Sequence, residues 1–160
     1  MNNTQKRIHE SSRFAIYFAP EISSALHMLG SQWIGRDANS GKLIKQPKIP
    51  DITSEYFYKI TKNPRLYGFH ATLKAPFQLN IRFTLNDLQD HIQRFCASTQ
   101  PFNMYLKIKQ ADQFLALVMD PREKKMVKLA SNLVKQADHF RAPIQRPMID
   151  KRRLSVLTRS

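Results

Sequence analysis

The stretch from Leu66 to Phe77 reads LYGFHATLKAPF. Tyr67, Phe69, Ala71 and Leu73 alternate with Gly68, His70, Thr72 and Lys74. A period of two is the period of a strand, because successive side chains leave a pleated backbone on opposite sides. One side is apolar and suits a core. The other carries an imidazole, a hydroxyl and an ammonium group in a row. Pro76 has no N–H to give to a ladder and stops the pattern. A lone strand of this kind needs partners, and the flanking sequence supplies candidates.

Upstream, Arg13 to Ala19 (RFAIYFA) is a short aromatic and aliphatic run closed by Pro20, and reads as a buried strand. Ile22, Leu26, Leu29 and Trp33 then recur at helical spacing, with Gly35 as a helix stop. Asn39-Ser40-Gly41 signals a turn, and Pro47 and Pro50 mark extended chain. Thr53 is placed to cap a short helix carrying Phe57 and Ile60, which Asn63-Pro64 should end.

Downstream, Thr84 with Asp87 three residues later predicts the start of a helix whose apolar stripe is Leu85, Leu88, Ile92 and Phe95. Residues 102–108 and 114–119 read as two strands, with Gln110 to Gln113 as the hairpin turn. Asp120-Pro121-Arg122-Glu123 then opens a last helix through cap, proline and acidic residue, with Met126, Leu129, Leu133, Ala137 and Phe140 inward. Mixed helices and strands with a hairpin predict an α+β fold with largely antiparallel sheets. The expected organisation is a flexible start over 1–12, a folded domain over 13–141 and a basic tail over 142–160.

Composition narrows the function classes. The 160 residues are 42% hydrophobic, enough for a core. The single cysteine, Cys96, rules out an internal disulfide and is expected to be a buried apolar residue of its helix. No run reaches the roughly 20 apolar residues of a membrane span, and the polar start lacks a secretory pattern, so no membrane partner is expected and the cytoplasm is the default compartment. A net charge of +14 favours anionic partners, although six of the basic residues fall between Arg141 and Ser160. Oligomeric state is not legible.

His70-Ala71-Thr72 is the chemical centre of the chain. Spacing of two on a strand puts imidazole and hydroxyl on one surface, within reach of one phosphate. Imidazole titrates near neutrality and suits acid or base work. A threonine hydroxyl can hydrogen-bond a phosphoryl oxygen, and Lys74 on the same side could add positive charge. Taken alone, three residues with one wildcard arise often by chance, and ordinary polar residues on a half-exposed strand would look the same.

The wider context shifts that balance. Arg13 to Pro20 (RFAIYFAP), Trp33 to Asp37 (WIGRD) and the GFHATLKAPF string resemble proteins of unknown function encoded in phosphonate-utilisation operons. These belong to the two-histidine phosphoesterase superfamily, which also contains RNA 2′,3′-cyclic phosphodiesterases. The resemblance implies two similar lobes around a cleft, each bringing one H-x-[ST] strand, and no metal or other cofactor. It implies one histidine as general base and the other as general acid. Carried over, His70 is one acid/base and Thr72 one phosphate-binding hydroxyl. Tyr17 and Lys74 are implied as substrate-binding cleft residues, for a phosphorylated small molecule or cyclic phosphate ester.

The family's second motif is expected some tens of residues beyond an arginine-rich stretch like Lys151 to Arg159, and this sequence stops first. His9 and His27 have no hydroxyl two residues on, and His91 and His139 lie in helical patterns that should face solvent. The expectation is therefore an incomplete second lobe and weak activity. Two other readings compete: a non-catalytic remnant, and a basic module for RNA or single-stranded nucleic acid using Tyr105, Lys107 and Lys109 on one strand. No glycine-rich phosphate loop is present, the four glycines being scattered.

Overall fold

A computed structural model describes residues 12–143. The expected flexible start and basic tail therefore lie outside the described residues, apart from Ser12, Ala142 and Pro143. The fold is α+β, with two small antiparallel sheets and flanking helices. The elements run β1 (Arg13–Phe18), α1 (Ala25–Ile34), α2 (Ser54–Ile60), α3 (Lys62–Arg65), β2 (Ala71–Gln78), α4 (Leu85–Ala97), β3 (Leu106–Ala111), β4 (Phe114–Met119) and α5 (Lys124–Ala137). β1 pairs with β2, and β3 with β4. The chain divides into two compact units, Ala15–Ala75 and the remainder.

In the Ala15–Ala75 unit, Ser24 caps α1 by accepting from His27 N at 3.2 Å, and Gly35 ends it at φ 85°, a conformation that suits glycine. The buried side of this helix is His27, Ser31 and Ile34. The stripe expected to face inward, Leu26, Leu29 and Trp33, is exposed at 36%, 66% and 43%. The reason is tertiary. Phe69 sits directly on Gly30, where a Cβ would lie 2.4 Å from its ring. That contact and the ties of His27 select a face that hydrophobicity does not.

α2 is capped by Thr53, as its sequence predicts, with Tyr56 N donating to its hydroxyl at 3.2 Å. The helix ends at Ile60, and Asn63-Pro64 does not stop the chain but forms part of the single turn α3. A proline in a first turn lacks only an N–H that has no intrahelical acceptor. Phe57 is buried and meets Trp33 edge-on, ring centroids 5.0 Å apart. The buried Arg65 guanidinium donates to Thr61 Oγ1 at 2.9 Å and Tyr58 O at 2.8 Å, and lies over the Tyr58 ring. Gln46 Nε2 donates to both Thr61 Oγ1 and Trp33 O, tying α1 to the α2–α3 junction.

In the other unit, α4 opens with the expected capping box. Asp87 N donates to Thr84 Oγ1 at 3.2 Å, and Thr84 N donates to Asp87 Oδ2 at 2.7 Å. The core here is Phe77, Leu88 and Phe140, with Phe14, Leu79, Phe83 and Ile92 packed against it. Cys96 is exposed, not buried. At 100° per residue it stands about 80° around α4 from Leu88, past the edge of the inward stripe. His91 is half-buried rather than solvent-facing, its ring 5.0 Å from that of Phe140, whereas His139 is exposed.

β3 starts at Leu106 rather than at residue 102 and extends to Ala111, so the hairpin turn tightens to Asp112-Gln113, with Ala111 opposite Phe114. Asp112 adopts φ 52°, which a short polar side chain tolerates. The register sets Leu106, Ile108, Leu115, Leu117 and Met119 on one face. The cap of α5 is Glu123, three residues after the expected Asp120, with Lys125 N donating to its Oε1 at 2.8 Å. Asp120 is engaged elsewhere, by Lys107 at 3.4 Å and Lys109 at 3.2 Å.

Candidate functional site

The segment before β2 is not strand. After α3, Tyr67 N and Gly68 N both donate to Pro64 O, at 3.1 and 2.9 Å. Gly68 closes this turn at φ 78° and packs so closely that a Cβ would lie 2.7 Å from the Ala38 Cβ. Only glycine satisfies both demands at once. Arg36 from beyond α1 donates to Leu66 O at 3.1 Å, fastening the same turn. β2 thus begins at Ala71, with His70 immediately before it.

His70 Nδ1 lies 2.9 Å from Gly68 O. A carbonyl oxygen only accepts, so Nδ1 carries the hydrogen and Nε2 of the neutral ring is the basic nitrogen. Thr72 Oγ1 stands 3.4 Å from that Nε2. The spacing of two thus brings the hydroxyl to the imidazole even though only Thr72 belongs to the strand. Thr72 is exposed, and His70 is partly buried. Tyr17 from β1 packs on His70 with ring centroids 4.2 Å apart and planes at 45°. The Tyr67 ring centroid lies 6.3 Å from that of His70, with the planes at 60°. Lys74, further along β2, is buried at 5% exposure.

An open cleft of about 820 Å³ lies at this point. Tyr17, Tyr67 and His70 line it together with Ala19, Pro20, Glu21, Ile22, Ser23, His27, Ala38 and Asn39. Thr72 and Lys74 are not among the lining residues. Its polar groups include the imidazoles of His27 and His70 and the carboxylate of Glu21.

His27 and Asp37 escaped the sequence reading. His27 has no hydroxyl two residues on and so carries no motif of its own. Yet its Nε2 lies 3.3 Å from Asp37 Oδ1, and it shares the cleft wall with His70. Asp37 also accepts from Ser40 Oγ at 2.7 Å and Asn39 N at 2.9 Å. The Ser40 hydroxyl first, and the Asn39 N–H next, hold the Asp37 carboxyl below the ordinary value of 3.8. The available signal was the WIGRD string, in which an aspartate follows a helix-ending glycine, but it named no partner for that aspartate. Of the three residues expected on one basic strand, Tyr105 stands just before β3, and Lys107 and Lys109 share the Asp120 carboxylate.

A family model described as a protein of unknown function, DUF1045, matches residues 72–160. The chain belongs to that family. It is also similar to two proteins named ribose 1,5-bisphosphate phosphokinase PhnN. It is 35% identical to the one from Janthinobacterium sp. (strain Marseille) over 89% of this chain and 32% of that protein. It is 39% identical to the one from Laribacter hongkongensis (strain HLHK9) over 42% of this chain and 16% of that protein. The chain thus spans about a third or less of the length of these relatives. No solved structure matches it. Among the described residues, no helix is long and apolar enough to cross a membrane.

Proposed function

We propose that this protein is a phosphoesterase of the two-histidine type that acts on a phosphate ester of a ribose-like sugar, cyclic or open, in phosphonate metabolism. The observation that carries the reading is the His70 arrangement. Nδ1–H is anchored on Gly68 O at 2.9 Å, which leaves Nε2 basic and beside the Thr72 hydroxyl. In the proposed reaction, Nε2 takes a proton from the attacking water as its oxygen bonds to phosphorus, and the ester P–O bond breaks. A proton then passes to the departing sugar oxygen. Solvent water supplies that second proton in this chain, where the two-histidine type would use an opposing acid. Thr72 turns its hydroxyl from Nε2 to a phosphoryl oxygen. Tyr17, against the His70 ring, restrains its tilt and offers a surface to the sugar.

The names of the relatives support the choice of sugar. Both act, by name, on a ribose bisphosphate, so a phosphorylated ribose is the ligand expected at His70. The word phosphokinase is not carried to this chain, which has no glycine-rich phosphate loop.

The test is hydrolysis of five-membered cyclic phosphates of ribose, with a 2′,3′-cyclic nucleotide as probe, by the chain and by His70→Ala. Loss of a positioned acid or base is expected to lower the rate about 10²–10⁴-fold. Turnover that is the same in His70→Ala would overturn the reading.

A further inference from the structure

His27 is an expensive residue where it stands. The residue is 5% exposed, and its Nδ1 is buried with no hydrogen-bond partner among the described residues. Buried polar atoms are normally paired, and leaving one unpaired is destabilising. An apolar side chain of similar volume would fill the place without that cost. Among the described residues, the polar tie of the His27 side chain is from Nε2 to Asp37 Oδ1 at 3.3 Å.

That tie leads to His70. The Asp37 carboxylate organises the turn from Asp37 to Gly41: it accepts from Asn39 N and Ser40 Oγ, while Gly41 N donates to Asp37 O at 2.9 Å. Ala38, inside this turn, is the residue on which Gly68 packs, with room for no side chain between them. Gly68 in turn offers the carbonyl that anchors His70 Nδ1 at 2.9 Å. His27, Ala38, Asn39 and His70 also line one cleft. The His27–Asp37 and Gly68–His70 links are short polar contacts, the Ala38–Gly68 link is close packing, and all lie within the Ala15–Ala75 unit.

We propose that His27 is a positioning residue for His70. Through Asp37, the turn that holds Ala38, and the Gly68 carbonyl, it keeps His70 in the Nδ1–H tautomer with Nε2 presented to ligand. The inference concerns the tautomer of His70, and its importance for catalysis rests on the proposed acid/base role of that residue.

The experiment reads the tautomer directly, from the ring nitrogen chemical shifts of His70 in the full chain at a pH where imidazole is neutral. His27→Gln keeps an N–H able to reach Asp37, and His27→Leu keeps bulk but no donor. The expected result is a single Nδ1–H signature in the native chain and in His27→Gln, and its loss to a mixture of both tautomers in His27→Leu. Should His27→Leu not fold, Asp37→Ala, at a partly exposed turn, is expected to give the same loss. A folded His27→Leu or Asp37→Ala protein in which His70 remains wholly Nδ1–H would overturn the proposal. Absent cyclic phosphate turnover with a tautomer that still responds to His27 would fail the proposed function and leave this inference standing.

Discussion

The carbonyl oxygen of Gly68 lies 2.9 Å from Nδ1 of His70, two residues further along the chain. That single contact decides which imidazole nitrogen is basic. It depends on Gly68 holding φ 78° while packed on Ala38.

Gly68→Ala is therefore expected to harm both stability and site. A left-handed conformation costs a non-glycine residue about 1–2 kcal/mol, and the new methyl would also have to displace Ala38. A lower urea midpoint, together with a changed His70 tautomer, is the expected outcome. An unchanged midpoint would show that the turn relaxes freely.

Thr72 has a narrower role. Thr72→Ser keeps the hydroxyl that stands 3.4 Å from His70 Nε2, and Thr72→Val removes it at almost constant shape. A hydrogen bond to a charged group is worth about 1.5–3 kcal/mol, or roughly 10–150-fold in rate. Thr72→Val should lose about that factor in kcat/KM for a cyclic phosphate, and Thr72→Ser should retain most of it. Equal activity in both would remove Thr72 from the site.

Phe57 is 2% exposed and meets Trp33 edge-on at 5.0 Å. Truncating such a ring leaves a cavity that the surrounding side chains cannot close. Phe57→Ala should cost about 3–5 kcal/mol, read as a shift of the urea unfolding curve monitored by the fluorescence of Trp33.

Two carboxylates make stability depend on acid. Asp37 is held below 3.8 chiefly by the Ser40 hydroxyl, and Asp87 chiefly by the Thr84 backbone N–H and then its hydroxyl. A depressed folded value means the charged form is favoured by folding. The contribution is complete above the unfolded value and is lost as pH falls through the folded one. Urea midpoints should be flat from neutral pH to about pH 5 and decline below about pH 4. The double variant Asp37→Asn, Asp87→Asn should decline less steeply over that range, and an identical slope would contradict the assignment.

What the sequence determined by itself was local. The Thr53 and Thr84 caps, the Gly35 stop, the β4 strand and the pairing of hydroxyl with imidazole at spacing two were all legible, because each depends on residues within a few positions. The mixed fold class followed from their order. The tertiary structure decided which faces these elements turn inward. The exposed Leu29, the buried Lys74, the exposed Cys96 and the shift of the α5 cap to Glu123 all departed from local pattern. In α1 the choice was made by Phe69 against Gly30 and by Asp37 against His27, contacts with residues outside the helix. Helical periodicity cannot encode them, because it reports how apolar a stripe is and not what stands opposite it. For the same reason His27 could be seen beside His70 only once the turn after α1 had been folded onto Gly68.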